Sequence, residues 1–239
     1  MGIEVDTLVI EATRKCNMEC EHCLRGEMEN LDMDMGYVES LFQKIDYISI
    51  LTLTGGEPSL AWKVINDVVV AAQTHGVEIG GFYITTNAKH IPDEFLLTLV
   101  KLYSYCSDNE MSAVEWSTDE YHEEENLESI RRLQVFSFAR PKRSGGSIIA
   151  EGNAENWGER HNSRESFEIE TWDGRTTIQE GNLYLNCEGN VVAGCDWSYE
   201  SQRGGGGSEG GCIICPVEEF CLEKVEQWVE EGEGENRIT

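Results

Sequence analysis

The first 135 residues alternate between short apolar strands and amphipathic helices, and this alternation restricts the fold more than any other feature. Apolar runs typical of strands lie at residues 7–12, 48–53, 82–86 and 112–117. Between these runs, apolar residues recur at helical spacing, most clearly after Pro92. Consecutive strand–helix units give parallel strands joined by right-handed crossovers. The sequence therefore predicts a mainly parallel α/β sheet.

Several residues are candidate helix boundaries. The apolar spacing from Tyr37 to Ile48 predicts one helix that includes Ile45. Ser59 is a candidate N-cap for the next helix, and Gly76 is a candidate stop. A further short helix is predicted over residues 126–133.

The alternation weakens after residue 135, so we expect a second region there. Strands are predicted at residues 147–150 and 181–185, and the second enters a hairpin through Gly189. The glycine-rich stretch 204–211 is typical of a flexible tether and also resembles an engineered linker. Pro216 is expected to start an amphipathic C-terminal helix. We therefore divide the chain into a core at 1–155 and late strands with a cysteine-rich extension at 156–239.

The net charge of −27 excludes several classes of partner. Such a surface repels phosphate backbones and anionic lipid, so we expect no nucleic-acid and no membrane partner. The longest apolar runs are too short to span a bilayer, and the N-terminus lacks the pattern of a secretory signal. These features predict a cytoplasmic protein, in which the nine cysteines bind metal or do chemistry rather than form disulfides.

The first cysteine motif is Cys-x3-Cys-x2-Cys, formed by Cys16, Cys20 and Cys23 directly after the first predicted strand. Thiolates at such short spacing suit one small iron–sulfur or zinc centre. Three thiolates on a [4Fe–4S] cluster leave one iron open to a small ligand. The alternatives are a zinc knuckle, with His22 as a fourth ligand, and thiols without metal.

A glycine motif follows the second predicted strand and reads Thr54-Gly55-Gly56-Glu57-Pro58. Because glycine lacks Cβ, the backbone at Gly55 and Gly56 can approach a ligand closely and adopt positive φ. Their carbonyls can accept hydrogen bonds from an ammonium, and Glu57 can fix the loop or bind that amine. The alternative for this motif alone is a tight turn before a helix.

The two motifs, in this order and each after a strand, resemble those of the radical S-adenosylmethionine (radical SAM) superfamily. The resemblance covers residues 7–155. It implies an open, partial (β/α)6-type barrel of about six strands, with its site at the carboxyl ends of the strands. It also implies that Cys16, Cys20 and Cys23 hold a [4Fe–4S] cluster whose open iron binds SAM. Reductive cleavage of SAM then gives a 5′-deoxyadenosyl radical that abstracts a hydrogen atom from the substrate.

The resemblance also implies a set of SAM-binding residues at the strand ends. These are His22, Gly55, Gly56, Glu57, Pro58, Thr86, Asn87, Ser117, Asp119 and Asn153. Two of them depart from the family pattern: His22 stands where Phe or Tyr is common, and Asn153 stands where some relatives have an Arg that helps to hold the SAM carboxylate. No catalytic side chain is assigned.

A second group of cysteines lies near the C-terminus and resembles the auxiliary-cluster segments called SPASM or twitch. The expected ligands of a second [4Fe–4S] cluster are Cys195, Cys212, Cys215 and Cys221, and Cys187 can replace one of them. A zinc site and thiols without metal remain alternatives. Cys106 has apolar neighbours on a helix and is expected to be a buried small hydrophobe.

The sequence thus predicts a radical SAM enzyme with a small-molecule or peptide substrate and an electron donor such as flavodoxin or ferredoxin. The alternative is a non-catalytic iron–sulfur or zinc-binding scaffold. Net charge favours a neutral or cationic substrate. The only tight group of basic residues beyond the cysteine loop is Arg140, Lys142 and Arg143.

Overall fold

The computed structural model describes residues 2–119, 121, 126–142, 148–157, 166–204 and 212–235. The barrel strands are β1 (Ile3–Thr13), β2 (Ile45–Gly55), β3 (Glu78–Thr86), β4 (Ala113–Trp116) and β5 (Ala139–Pro141). The later strands are β6 (Glu168–Trp172), β7 (Arg175–Gln179), β8 (Leu183–Leu185), β9 (Asn190–Ala193) and β10 (Ile213–Pro216). The helices are α1 (Met35–Phe42), α2 (Trp62–His75), α3 (Asp93–Tyr105), α4 (Leu127–Leu133) and α5 (Leu222–Glu235).

All ten strands belong to one sheet with the main order β10-β9-β8-β1-β2-β3-β4-β5. Strands β1 to β5 are parallel neighbours in chain order, and β8 adds a sixth parallel strand at the other edge of β1. Because parallel strands share one direction, the carboxyl ends of β1 to β5 meet at one rim. The predicted partial barrel of about six strands is confirmed.

The helices pack against the sheet, and together they bury one continuous apolar core. Ile10, Leu51 and Phe82 are fully buried on the strands and belong to the same cluster as Leu41 and Leu99 on the helices. This packing follows from the 3.6-residue apolar period of α1, α2 and α3. No helix in the described ranges is long and apolar enough to cross a bilayer.

The predicted helix over Tyr37 to Ile48 is wrong in its second half. Helix α1 ends at Phe42, and Ile45 already lies on β2, whereas Ile48 belongs to the predicted strand 48–53, which is confirmed. Ile45 pairs with Ile3 at the start of β1. Pairing with a neighbouring strand therefore overrides the helical spacing of these β-branched residues.

The predicted N-cap at Ser59 is also wrong. Residues Pro58–Ala61 form a 3₁₀ turn that Glu57 caps by accepting a hydrogen bond from the Ser59 backbone N–H. The Ser59 hydroxyl instead donates to the carbonyl of His90. The stop at Gly76 is confirmed by its φ of 72°. The helices predicted after Pro92 and over residues 126–133 are confirmed as α3 and α4.

The fifth barrel strand lies earlier than the sequence predicts. It is Ala139–Pro141, beside β4, whereas residues 148–150 contain a single bridge residue and no strand. Ser147, Arg143 and residues 205–211 of the glycine-rich stretch lie outside the described residues. The antiparallel hairpin of β6 and β7 was not predicted, and its β7 pairs with the start of β1.

The C-terminal segment begins with the predicted hairpin, in which β8 and β9 join through Gly189 at φ 81°. The predicted helix start at Pro216 is wrong, because Pro216 ends β10 and α5 starts at Leu222. Strand β10 is the edge of the sheet, where a residue without an N–H is tolerated.

Candidate active site

The cysteine loop lies at the carboxyl end of β1 and forms one wall of a cavity. Cys16, Cys20 and Cys23 are half-buried, and all three line a cavity of about 470 Å³. Gly55 and Gly56, at the end of β2, line the same cavity. The fold thus brings both sequence motifs to one site of a size typical for small-molecule ligands.

Asn153 holds the cysteine loop in place through two hydrogen bonds. Its side-chain Nδ2 donates to the carbonyl of Cys20 (3.0 Å), and its backbone N–H donates to the carbonyl of Cys23 (2.9 Å). The neighbouring Gly152 has φ 57°, and a Cβ there would lie 2.4 Å from the backbone nitrogen of Gly26. Asn153 also lines the cavity, so it can contact a ligand while it positions the loop.

The two glycines allow the end of β2 to lie directly against the start of the cysteine loop. The N–H groups of Gly56 and Glu57 donate to the carbonyls of Thr13 (2.7 Å) and Lys15 (2.8 Å). A Cβ on Gly55, which has φ 139°, would lie 1.9 Å from the Thr13 carbonyl oxygen. Only glycine fits this close approach.

Glu57 fixes the glycine loop rather than facing the cavity. The side chain is 1% exposed, and its Oε1 accepts from the Ser59 N–H (2.9 Å) and from the Thr86 hydroxyl (2.6 Å). Its Oε2 accepts from the Asn87 N–H (2.8 Å). Of the two roles open to Glu57, the geometry therefore corresponds to fixing the loop. Pro58 follows it as the first residue of the 3₁₀ turn.

Two predicted SAM-binding residues at the end of β3 occupy different environments. Thr86 is buried beneath the loop, and its hydroxyl bonds Glu57. Asn87 lies beside the cysteines: its Nδ2 donates to Asn17 Oδ1 (2.8 Å) and lies 4.0 Å from Cys16 Sγ. Asn87 is thus placed to contact a group bound at Cys16, whereas Thr86 supports the loop from below.

The remaining three predicted SAM-binding residues lie on the same rim but are not among the described residues that line the cavity. They are His22, Ser117 and Asp119. The His22 ring lies 5.1 Å from the Tyr121 ring, centroid to centroid, and Tyr121 lies 6.1 Å from Trp157. The Ser117 N–H donates to the Thr86 carbonyl, and Asp119 accepts from the Tyr121 N–H. These residues border the cysteine loop on the side of β4.

The donor chemistry of the loop fits an iron–sulfur cluster. All nine cysteines of the protein are thiols. Burial raises the pKa of Cys16, and the nearby Glu57 carboxylate raises it further. Because metal binds the thiolate, cluster assembly here would release protons. Within the described ranges, no three His, Cys, Asp or Glu side chains are arranged to hold a metal ion. The structure thus shows that the three thiols and the glycine loop share one cavity, while the three thiols are not yet arranged as metal ligands.

The four C-terminal cysteines are not gathered at one point. Cys195 and Cys212 belong to a small apolar cluster that includes Tyr184. Cys215 faces the main core, and after the effect of burial the neighbouring Cys221 contributes most to raising its pKa to about 11. The expected single set of four is therefore divided into two pairs. Cys212 and Cys215 are three residues apart, and an odd spacing along an extended segment turns side chains to opposite faces of the sheet.

Cys187 and Cys106 are the two cysteines outside the proposed metal-binding sets, and both are buried. Cys187 lies between β1 and β8, where its thiol donates to the Glu11 carbonyl (3.1 Å) and its backbone N–H to Glu11 Oε2 (2.7 Å). It therefore lies apart from both pairs. Cys106 is 7% exposed in the core, and burial raises its pKa to about 11. The prediction that Cys106 is a buried hydrophobe is confirmed.

A buried polar network behind the cysteine loop was not predicted. Arg14 is fully buried, and it forms ion pairs with Glu11 (3.0 Å), Glu29 (3.0 Å) and Glu188 (3.1 Å). Its guanidinium also lies 4.4 Å from the centre of the Tyr199 ring. Because these partners are as many as 188 − 14 = 174 residues apart, no local sequence signal could identify the network.

The comparisons with known proteins agree with this architecture. A model of the 4Fe–4S single cluster domain family matches residues 7–102. Among solved structures, BtrN in an open conformation is 13% identical with a TM-score of 0.53, over 100% of this chain and 86% of that chain. The structure of anSMEcpe with bound AdoMet and the Cp18Cys peptide is 9% identical with a TM-score of 0.48, over 95% and 82%.

A third structure is SuiB of Streptococcus suis bound to the precursor peptide SuiA. It is 19% identical with a TM-score of 0.33, and the match covers 48% of this chain and 24% of that chain. The chain thus spans about a quarter of SuiB. No curated protein matches this chain in sequence.

The fold and the cysteine loop together define an α/β protein with a candidate iron–sulfur site. The chain shares its fold with BtrN, and the 4Fe–4S single cluster domain match covers the cysteine loop.

Proposed function

We propose that this protein cleaves SAM reductively at a [4Fe–4S] cluster and uses the resulting radical to abstract hydrogen from a small-molecule or peptide substrate. Cys16, Cys20 and Cys23 are the proposed cluster ligands. One observation carries the proposal: the three thiols and the backbone of Gly55 and Gly56 line one cavity.

The bound cluster supplies one-electron reduction, which splits SAM into methionine and a 5′-deoxyadenosyl radical. The protein's own part is to orient the ligands and to limit access of water. Asn153 and Gly152 hold the cysteine loop by its carbonyls, and Glu57 holds the glycine loop by its two carboxylate oxygens. The two loops are thereby fixed against each other at the wall of one cavity before any ligand enters.

We assign the SAM contacts by proximity to that cavity. The Gly55 and Gly56 backbone is the proposed site for the SAM amine, and Asn87 contacts a group bound beside Cys16. His22 is the proposed neighbour of the adenine, and its ring lies 5.1 Å from the Tyr121 ring at a tilt of 36°. Ser117 and Asp119 remain proposed ribose contacts.

An auxiliary metal centre at Cys195, Cys212, Cys215 and Cys221 also remains a proposal. The proximity of Cys195 to Cys212 supports it. Cys215 lies in the main core rather than in the cluster of that pair, so a four-cysteine site would need these residues to come closer together when metal binds. A flavodoxin or ferredoxin as electron donor and a reducing, cytoplasmic location complete the proposal, since exposed thiols and a cluster need such a compartment.

The test is anaerobic reconstitution with iron and sulfide, followed by EPR spectroscopy of the reduced protein with and without SAM. We expect a cluster signal that SAM perturbs, and release of 5′-deoxyadenosine under dithionite. The triple variant Cys16→Ala, Cys20→Ala, Cys23→Ala should lose both properties. Cys106→Ala, which removes a buried thiol outside the site, is the matched control and should retain them.

The competing function is a non-catalytic iron–sulfur or zinc scaffold. A cluster whose EPR signal ignores SAM, together with no release of 5′-deoxyadenosine, would establish the scaffold. Zinc in place of iron after purification would lead to the same conclusion.

A further inference from the structure

Arg25 is a buried cation on the wall of the cavity. It is 9% exposed and lines the cavity two residues after Cys23. Its Nη1 donates to the Trp197 carbonyl (2.6 Å), and its guanidinium lies 5.0 Å from the centre of the Tyr184 ring. The Arg25 carbonyl accepts from the Tyr199 N–H (3.0 Å). The C-terminal segment therefore holds Arg25 in a fixed position.

Arg25 differs from the neighbouring Arg14 in its charge partners. Arg14 lines the same cavity and is neutralised by ion pairs with Glu11, Glu29 and Glu188. Arg25 has no ion pair with any residue that the structure describes. One of its five N–H donors is used by the Trp197 carbonyl. Among the described carboxylates, Glu11 interacts electrostatically with this guanidinium at longer range, and none lies within ion-pair distance of it.

A buried guanidinium without an anion is costly, because burial removes the water that solvates its charge. An oxyanion that enters the cavity would restore this solvation, and guanidinium binds carboxylate and phosphate groups with two parallel hydrogen bonds. We propose that Arg25 binds a single oxyanion, a carboxylate or a phosphate, of the substrate. This inference rests on the proposed function, because it assigns the same cavity to the substrate.

The position of Arg25 favours the substrate over SAM as the source of the oxyanion. The side chains and carbonyl that contact Arg25 come from Tyr184 and Trp197, in the C-terminal segment. The proposed SAM contacts, Gly55, Gly56 and Asn87, come from the ends of β2 and β3. The oxyanion site thus lies on a different wall.

The charges near the cavity mouth define the substrate further. Glu19 and Glu27 are exposed residues that line the cavity, and they repel an extended polyanion. A single carboxylate or phosphate can still reach the buried Arg25. The expected neutral or cationic substrate is therefore replaced by one that carries a single oxyanion. The basic residue Arg140 does not compete, because it is exposed and paired with Glu115 (2.8 Å).

The first test measures binding of inorganic phosphate and malonate to the anaerobically purified full chain by thermal unfolding, with chloride at equal ionic strength as reference. We expect a saturable rise of the midpoint for the wild type. For Arg25→Gln, phosphate and malonate should raise the midpoint no more than chloride does. The matched control Arg140→Gln, an exposed arginine, should behave as the wild type. Equal responses of wild type and Arg25→Gln would overturn the proposal.

Arg25→Lys covers the case in which Arg25→Gln does not fold. It keeps the charge and loses the planar fork, so we expect the affinity for phosphate to fall by about tenfold. An unchanged affinity in Arg25→Lys would also contradict the proposal.

The second test separates the two sources of the oxyanion. Calorimetric titration compares SAM with decarboxylated SAM on the reconstituted protein. If Arg25 binds the substrate, Arg25→Gln keeps the wild-type preference for SAM. Loss of that preference would assign Arg25 to the SAM carboxylate and overturn the proposal. A wild type that binds phosphate but no SAM would refute the proposed radical SAM function and leave the oxyanion site standing.

Discussion

The hydroxyl of Thr86 donates a 2.6 Å hydrogen bond to Oε1 of Glu57, and both side chains are 1% exposed. This bond joins the end of β3 to the loop that follows β2. Since Glu57 also accepts from the Asn87 N–H, one buried carboxylate sets the positions of two neighbouring strand ends. Glu57 therefore fixes the glycine loop and Asn87 relative to each other.

The substitution Glu57→Gln should destabilise the protein by about 2 kcal/mol, because buried donors lose their acceptor. Three donors, the Ser59 N–H, the Thr86 hydroxyl and the Asn87 N–H, face the carboxylate, and an amide offers one acceptor oxygen only. Urea unfolding measures the change. The control Glu94→Gln alters an exposed carboxyl on α3 and should stay within about 0.5 kcal/mol of the wild type. Equal stability of both variants would contradict the role of Glu57.

The substitution Gly56→Ala should prevent cluster binding. A Cβ at this position would lie 2.3 Å from the Lys15 carbonyl oxygen, so the glycine loop and the cysteine loop must separate. Iron content after reconstitution measures the effect.

The matched control for this substitution is Gly76→Ala, at the end of α2. Gly76 has φ 72° and nothing within 4 Å of an added Cβ. Ala at this position costs about 1 kcal/mol for its left-handed backbone but should leave the iron content unchanged. Equal iron in Gly56→Ala and Gly76→Ala would show that the close approach of the two loops is not needed for the cluster.

The fold was predictable where local pattern and tertiary structure agree. Strand–helix alternation gave the parallel order of β1 to β4, and Gly76 marked a true helix end. The errors arose where pairing with a distant segment decides the local structure. Ile45 has helical spacing but begins a strand beside β1, and Pro216 has the signature of a helix start but closes an edge strand.

The site was predictable as a set of motifs but not as a set of contacts. The spacing of Cys16, Cys20 and Cys23 and the glycine pair identified two loops that the structure brings to one cavity. The role of Arg25 could not be predicted, since its environment is built by Trp197, 197 − 25 = 172 residues away. The separation of Cys212 from Cys215 was not predicted, although an odd spacing along an extended segment turns side chains to opposite faces of a sheet.

Acid should weaken the contact between the cysteine loop and the C-terminal segment. Hydrogen bonds from Arg203, and then from Arg14, hold the pKa of Glu29 below its ordinary value of 4.5. Because the folded pKa is depressed, the stabilisation is present above pH 4.5 and is lost as the pH falls through the folded pKa. Glu29→Gln removes this titration. We expect the difference in thermal midpoint between wild type and Glu29→Gln to be largest near pH 7, to shrink as the pH falls below 4.5, and to vanish only below the folded pKa of Glu29. A difference that does not change with pH would contradict this account.

The metal content of paired cysteine variants distinguishes one auxiliary cluster from two separate thiol pairs. In the background Cys16→Ala, Cys20→Ala, Cys23→Ala, a second [4Fe–4S] cluster should leave about four irons per chain. Removing Cys195 with Cys212, or Cys215 with Cys221, should then abolish that iron to the same extent, because a cluster needs all four ligands. If the two cysteine pairs stay apart when metal is bound, the two double variants should differ in metal content. Only removal of the pair that binds the metal would then lower the metal content of the protein. Cys187→Ala is the control, since its thiol bonds the Glu11 carbonyl away from both pairs. Iron that survives both double variants would refute an auxiliary centre at these cysteines.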